Sequence, residues 1–207
     1  ALEAGITPQD QFTAAPEITL PGTSTTLENY NGTTCGGGPT ASLLEAFARS
    51  CNTAFVEMGI QVGADAIRNQ SEAFGIGQDF ADFALPVADS TIGPIPDDAA
   101  LGQTSIGQRD VALTPLQNAV IAATVANGGV RMEPKLISEL QGPDLSNLDT
   151  TDPVSAGQAM SPEVAATLTD LMIASENRTS GEGKIPGVQI ASKTGTAEHG
   201  TDPRTKP

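Results

Sequence analysis

Apolar residues recur every three to four positions in five stretches of the chain, and this spacing predicts amphipathic helices. The predicted helices open at Thr40, Asn52, Asp65, Thr114 and Ser161. Each of these side chains has an oxygen that can accept a hydrogen bond from the free backbone N–H groups at the start of a helix. Clusters of Gly and Pro predict mainly loops at 1–40, with short strands around Ile18, and a loop at 76–110.

The helix after Thr114 has the clearest signals, because Pro115 suits the first turn and Asn127-Gly128-Gly129 stops the helix. The other helices are recognised by the side chains expected to face the core. These are Leu43, Leu44 and Phe47 in the first, Phe55, Val56 and Ile60 in the second, and Val164, Leu168, Leu171 and Met172 in the last.

Strand patterns lie mainly in the last third of the chain. Residues 130–140 predict a strand broken at Pro134, and the alternation at 188–197 predicts another. The stretch 141–160 is acidic and rich in Ser and Thr, which predicts an exposed connection. Helices in the middle of the chain with strands near its end predict an α+β fold, in which helices pack on an antiparallel sheet.

Length and charge narrow the class of protein. The 207 residues suffice for one substantial domain. The net charge of −15, from 25 acidic and 10 basic residues, repels phosphates, so neither nucleic acid nor an anionic lipid surface is predicted as a partner. No run of 18 apolar residues and no signal-peptide pattern is present.

The sequence opens without Met and stops after a strand pattern. We therefore expect it to be a piece of a longer protein.

The cysteines do not indicate a metal site. Cys35 and Cys51 are separated by 15 residues without zinc-ligand spacing, and His199 is the single His. The two cysteines either form a disulfide, which would suit an extracytoplasmic domain, or are buried thiols, and their spacing leaves both open. His199 is interpreted as an exposed loop residue rather than a catalytic group.

The last predicted strand carries Lys193-Thr194-Gly195-Thr196. A Lys beside two hydroxyl side chains suits recognition of a carboxylate next to a reacting carbonyl, and a Gly lets another chain approach closely. The alternative is a plain edge strand protected by a charged residue.

Ser50-Cys51-Asn52 is a weak signal alone, because it also fits an ordinary cap between two helices. Its place upstream of Lys193 strengthens it, because Ser-x-x-Lys, a Ser-x-Asn element and Lys-Thr-Gly form one catalytic set in penicillin-binding proteins. The second and third of these elements lie here in that order, about 140 residues apart.

Segments 102–108, 113–117 and 126–129 resemble the part of class B penicillin-binding proteins that precedes their final sheet. Together with the two motifs, they make nearly the whole chain similar to the transpeptidase domain of that family, and most of all to its actinobacterial A type. The resemblance implies the penicillin-binding/serine β-lactamase-like transpeptidase fold.

One departure from the family pattern stands out. Ser-x-x-Lys, which carries the family's nucleophilic serine and its lysine base, does not occur in the 207 residues. We therefore expect 1–207 to be a partial transpeptidase domain, without the upstream helix that bears the nucleophile and without the strands that follow the Lys-Thr-Gly strand. The alternative is an inactive piece.

The resemblance also implies roles for the motif residues. A serine outside this chain would attack the D-Ala-D-Ala stem peptide of peptidoglycan, or a β-lactam ring, without a cofactor. The catalytic residues would be Ser50, Asn52 and Lys193. Ser50 would relay a proton, Asn52 would hydrogen-bond the substrate amide, and Lys193 would supply positive charge to Ser50 and to the substrate carboxylate. The substrate-binding residues would be Thr194, Gly195 and Thr196.

The family's location implies the extracytoplasmic face of the bacterial membrane, an upstream transmembrane anchor, and partners in the division or elongation machinery. It also favours the Cys35–Cys51 disulfide, which would brace the 50–52 loop. Two other functions are open. One is a penicillin-hydrolysing relative, which the lack of a Glu-x-x-Leu-Asn element between Ser50 and Lys193 disfavours. The other is a non-catalytic module that senses β-lactams or acts as a divisome scaffold.

Overall fold

The computed structural model describes residues 1–80, 83–179 and 185–195. The α-helices in these ranges are α1 (Leu43–Arg49), α2 (Asn52–Val62), α3 (Ala64–Ala73), α4 (Asp98–Thr104), α5 (Pro115–Ala126) and α6 (Pro162–Thr179), and short 3-10 helices lie at Leu2–Ala4 and Tyr30–Gly32. The strands are β1 (Gln11–Thr13), β2 (Glu17–Thr19), β3 (Thr26–Glu28), β4 (Thr40–Ser42), β5 (Val130–Met132), β6 (Glu139–Gln141), β7 (Asn147–Thr150) and β8 (Ser155–Gln158). This mixture confirms the predicted α+β class.

The described strands pair two by two, always antiparallel: β1 with β4, β2 with β3, β5 with β8, and β6 with β7. Antiparallel pairing agrees with the prediction, but the strands form four small sheets rather than one. Each strand is three or four residues long, and the register shifts between Arg131 and Met132 and between Leu140 and Gln141. Such irregularities bend a strand and interrupt its pairing.

Side-chain caps set the starts of several helices. Thr114 Oγ1 accepts a hydrogen bond from the Gln117 N–H at 3.1 Å, and Pro115 follows in the first turn, as predicted for α5. The first helix starts later than predicted, because Ser42 rather than Thr40 is its cap. Residues 40–42 form β4 instead, since they pair with β1.

Helix α4 lies inside the stretch predicted to be a loop, and that part of the prediction is wrong. Its start carries a signal, because the Asp97 side chain accepts a hydrogen bond from the Ala100 N–H at 2.8 Å. Helix α4 packs closely on α2 through Gly102. A Cβ atom there would lie 2.9 Å from Val56 Cγ1, so the small residue allows the close approach.

The stretch 141–160 is largely exposed, as predicted, but it is not a plain connection. Strands β6 and β7 form a hairpin in which nearly every side chain is exposed. Strand β8 returns to pair with β5. The sequence pattern did not predict these strands. An exposed hairpin has no buried face, so its residues show no alternation of apolar and polar side chains.

The main core lies where α1, α2 and α6 meet β1 and β4. Its buried members include Phe12, Leu43, Phe47 and Leu171. Leu44 was predicted to face inward but is 41% exposed, which corrects that prediction. Leu43 and Phe47 are four positions apart and share a helix face, whereas Leu44 is rotated by about 100° from Leu43. Helix α6 is therefore packed against the helix that leads into Ser50.

Candidate active site

Ser50 lies at the end of α1 in a left-handed backbone conformation, with φ 57° and ψ 51°. Its N–H donates to the Phe47 carbonyl at 3.1 Å, which ends the helix within one turn. Left-handed conformations are unusual for residues other than glycine, and they recur at functional sites. This turn presents the Ser50 hydroxyl at the end of the helix.

The next two residues begin α2. Cys51 precedes the helix and forms a disulfide with Cys35, across a Cα–Cα distance of 5.8 Å. Asn52 is the first helical residue, and its Nδ2 donates to the Glu28 carbonyl of β3 at 2.9 Å. The 50–52 turn is therefore held covalently at its centre and by a hydrogen bond at Asn52.

A buried polar pair supports the start of α2. Asn29 Oδ1 accepts hydrogen bonds from the Thr53 N–H at 3.0 Å and from the Thr53 hydroxyl at 3.3 Å. Asn29 Nδ2 donates to the Ala15 and Thr33 carbonyls. Because Cys51 makes no side-chain capping bond, Asn29 supplies the cap from a distant segment. Sequence reasoning missed Asn29, since no local pattern connects it to α2.

Lys193 reaches Ser50 across the chain. Its Nζ donates to Ser50 Oγ at 2.7 Å and to the Thr194 carbonyl at 2.7 Å, and it lies 5.5 Å from the centre of the Phe47 ring. The residue as a whole is exposed. Its ammonium group is nevertheless partly shielded from water. This burial lowers the pKa of Lys193 from its ordinary 10.5 to about 8.

The segment that bears Lys193 differs from the predicted strand. The strand prediction for 188–197 is wrong over the described residues 188–195, which have no regular structure. The Ser192 N–H donates to the Met172 carbonyl of α6 at 3.2 Å rather than to a neighbouring strand. Thr194 and Gly195 are exposed beside Lys193. Thr196 and His199 lie outside the described residues.

The described residues show neither a metal site nor a membrane-spanning helix. No group of three or more His, Cys, Asp or Glu side chains there is placed to hold a metal ion. Among the described helices, none combines the length and the apolar character needed to cross a membrane.

Residues 1–207 match the family model of the penicillin-binding protein transpeptidase domain, so the chain belongs to that family. Two relatives with this domain are mycobacterial. The chain is 60% identical over 207 residues to the peptidoglycan D,D-transpeptidase PbpA of Mycobacterium tuberculosis, covering 100% of this chain and 42% of that protein. It is 59% identical to PbpA of Mycolicibacterium smegmatis with the same coverage. The chain thus spans less than half the length of these relatives.

Solved structures confirm the predicted transpeptidase fold. The ceftriaxone acyl-enzyme complex of M. tuberculosis penicillin-binding protein A matches with a TM-score of 0.95 at 60% identity, over 99% of this chain and 46% of that one. Its penicillin G acyl-enzyme complex matches with a TM-score of 0.92 at 60% identity, over 98% and 46%. The D,D-transpeptidase domain of a peptidoglycan glycosyltransferase from Eggerthella lenta matches at 0.80 and 25% identity, over 97% and 51%.

Proposed function

We propose that this chain forms one side of the acyl-transfer site of a serine D,D-transpeptidase that cross-links peptidoglycan. The observation that carries the proposal is the 2.7 Å contact between Lys193 Nζ and Ser50 Oγ, which joins two motifs 143 residues apart in sequence. Membership of the transpeptidase family and the names of the mycobacterial relatives support it.

The nucleophile in this proposal is a serine of a Ser-x-x-Lys motif on a helix upstream of residue 1. That serine attacks the carbonyl carbon of the D-Ala-D-Ala peptide bond, and the departing amine needs a proton. Ser50 is suited to deliver it, because its oxygen accepts from Lys193 and its own hydrogen can then point at the leaving nitrogen. Asn52 would accept a hydrogen bond from the substrate amide through Oδ1, while Glu28 holds its Nδ2.

The carboxylate of the substrate, or of a β-lactam, is the proposed partner of the Lys193 charge. Thr194 and Gly195 are exposed next to it, which suits a hydroxyl donor and a close approach of the peptide. Thr196 completes the proposed set, with a hydroxyl for the carboxylate and an N–H for the oxyanion that develops at the attacked carbonyl. Covalent inhibition by β-lactams follows from the same attack on a strained ring.

The proposed location is the extracytoplasmic face of the bacterial membrane, with an upstream transmembrane anchor and partners among the division or elongation proteins. The Cys35–Cys51 disulfide supports this location, because disulfides form and persist mainly in oxidising compartments. The net charge of −15 keeps the domain away from anionic lipid heads and from nucleic acid.

Labelling with a fluorescent penicillin tests the function in the full-length protein. We expect a long-lived covalent adduct with the wild type. Lys193→Ala and Ser50→Ala should each slow acylation by about 10²- to 10⁴-fold, the range typical of a lost acid–base group. Lys135→Ala is the matched control, since it removes another exposed lysine after β5 and should leave the rate unchanged.

The other outcomes decide between functions. If the wild-type protein forms no adduct, the proposal is overturned in favour of a non-catalytic module. If the adduct forms and is hydrolysed within seconds, the protein is a penicillin-hydrolysing relative instead.

A further inference from the structure

The segment that carries Lys193 is fastened to α6 at the preceding residue. The Ser192 N–H donates to the Met172 carbonyl at 3.2 Å, and the Ser192 hydroxyl donates to Glu176 Oε2 at 2.5 Å. Met172 and Glu176 lie one helical turn apart, so both hydrogen bonds come from one face of α6.

Glu176 is an unusual residue for its place. The residue is 8% exposed, and a carboxylate is costly to bury unless hydrogen bonds satisfy it. The hydrogen bond from the Ser192 hydroxyl satisfies one of the Glu176 carboxylate oxygens. A buried carboxylate bonded to the residue before Lys193 points to a role in holding that residue in place.

Helix α6 also packs on the helix that ends at Ser50. Leu171 lies in the same core cluster as Phe47, one turn before Ser50 in α1. One rigid helix therefore holds both sides of the Lys193–Ser50 contact, through apolar packing toward α1 and through hydrogen bonds to Ser192.

We propose that Glu176 is a positioning residue that anchors Ser192 and thereby holds the Lys193 ammonium group against Ser50 Oγ. The proposal rests on the proposed function, in which Lys193 and Ser50 act together in acyl transfer. In this proposal Glu176 acts through Ser192 and not on the substrate itself. Without it, Lys193 still has its charge but loses the fixed direction in which that charge is presented.

The test measures acylation of the full-length protein by penicillin, separated into the binding constant of the first encounter and the rate constant of acylation, together with thermal stability. We expect Glu176→Ala to lower the acylation rate constant about 10- to 100-fold, because a misplacement of about 1 Å can cost 10² in rate. The encounter constant should change much less. Glu176→Gln keeps an oxygen that can accept from Ser192 and should recover most of the rate.

Ser192→Ala removes the other partner of the same bond and should reproduce the loss. The double variant of Glu176 and Ser192 should be no slower than either single variant, because one interaction can be removed only once. Asp170→Asn, an exposed acidic position on the same helix, is the control and should behave as the wild type.

Each remaining outcome counts against the inference. Losses of rate at Glu176 and Ser192 that add up would show that the two residues act independently. Melting temperatures that fall while the acylation rate constant stays unchanged would show a purely structural role. If Glu176→Ala does not fold, Glu176→Gln and Ser192→Ala carry the comparison. Normal acylation by Lys193→Ala would overturn the proposed function itself, whereas slow Lys193→Ala with normal Glu176→Ala overturns only the positioning role.

Discussion

The Lys193 ammonium group lies 5.5 Å from the centre of the Phe47 ring, and Phe47 precedes Ser50 by one turn of α1. The same helix end therefore supplies a hydrogen-bond acceptor to the ammonium group and an aromatic face that takes the place of water. Burial of the ammonium group as a whole lowers the pKa of Lys193 to about 8, so it holds its proton less tightly than a solvated lysine does. The helix end thus fixes the direction of the ammonium group, while burial sets its acidity.

The first prediction concerns pH. The pKa of Lys193 is lowered from 10.5 to about 8, so its charge in the folded protein is lost as the pH rises through about 8. If that charge binds the carboxylate of the substrate, the second-order acylation rate of the full-length protein should fall above pH 8. Stopped-flow acylation with penicillin between pH 6 and pH 10 (about two units either side of that pKa) measures this.

Lys193→Arg provides the control for this pH dependence. A guanidinium group stays charged throughout the range, so the decline near pH 8 should disappear even if the absolute rate is lower. A decline of the same shape in the arginine variant would assign the decline to another group.

The lowered pKa of Lys193 also affects the stability of the fold. The unfolded chain binds the proton more tightly, so the unfavourable contribution of Lys193 to the free energy of unfolding disappears as the pH rises from about 8 to 10.5.

A second prediction separates the aromatic face from packing. Phe47→Leu removes the ring beneath the ammonium group and should slow acylation about 2- to 5-fold, since a cation–π contact contributes about 0.5–1 kcal/mol. Phe55 is the matched control, because its ring lies 6.1 Å from that of Phe47 in the same core. Both substitutions should lower the free energy of unfolding by about 1 kcal/mol, but Phe55→Leu should not slow acylation. Equal rates for the two variants would count against a role for the ring.

The sequence predicts those features of the fold that depend on residues close together in the chain. The starts of α2 and α5 could be predicted to within a residue, because caps, prolines and glycines act over one helical turn. The pairing of Ser50 with Lys193 could be anticipated only from the order of two motifs, since their contact spans 143 positions. No local rule relates residues so far apart.

The supporting residues were beyond sequence reasoning for the same reason. Asn29 reads as a turn residue and Glu176 as a polar position on an amphipathic helix. Their hydrogen-bond partners, Thr53 and Ser192, lie 24 and 16 positions away in the sequence. The strand expected at 188–197 shows the converse error, because alternation indicates extended backbone but does not supply a neighbouring strand.

The third prediction tests the distant cap of α2. Asn29→Ala leaves the buried Thr53 N–H without its acceptor and should lower the free energy of unfolding by about 1–3 kcal/mol. Asn118→Ala, at an exposed position on α5, should change it by less than about 0.5 kcal/mol. Denaturant unfolding of the full-length protein followed by circular dichroism measures both. Equal effects at the two positions would contradict the proposed cap.

The fourth prediction concerns the covalent link beside the site. The cysteines of the Cys35–Cys51 disulfide are 16 positions apart, and both are buried. Closing a loop of that size removes freedom from the unfolded chain, so replacing both cysteines by alanine should lower the free energy of unfolding by about 3 kcal/mol. Reduced wild-type protein should show a similar loss, whereas unchanged stability in both would contradict the bond.

The left-handed turn at Ser50 has a consequence for antibiotic escape. Backbone of this shape is easy for glycine, asparagine or aspartate, none of which brings a hydroxyl group. Threonine brings the hydroxyl but is β-branched, and branched side chains are outliers in this conformation. Under the proposed function, in which the Ser50 hydroxyl relays a proton, chemistry and backbone together leave this position almost no single substitution that keeps transpeptidation. If the proposed function holds, resistance to β-lactams should arise at positions other than 50, and Ser50 is correspondingly attractive as a fixed contact point for new inhibitors.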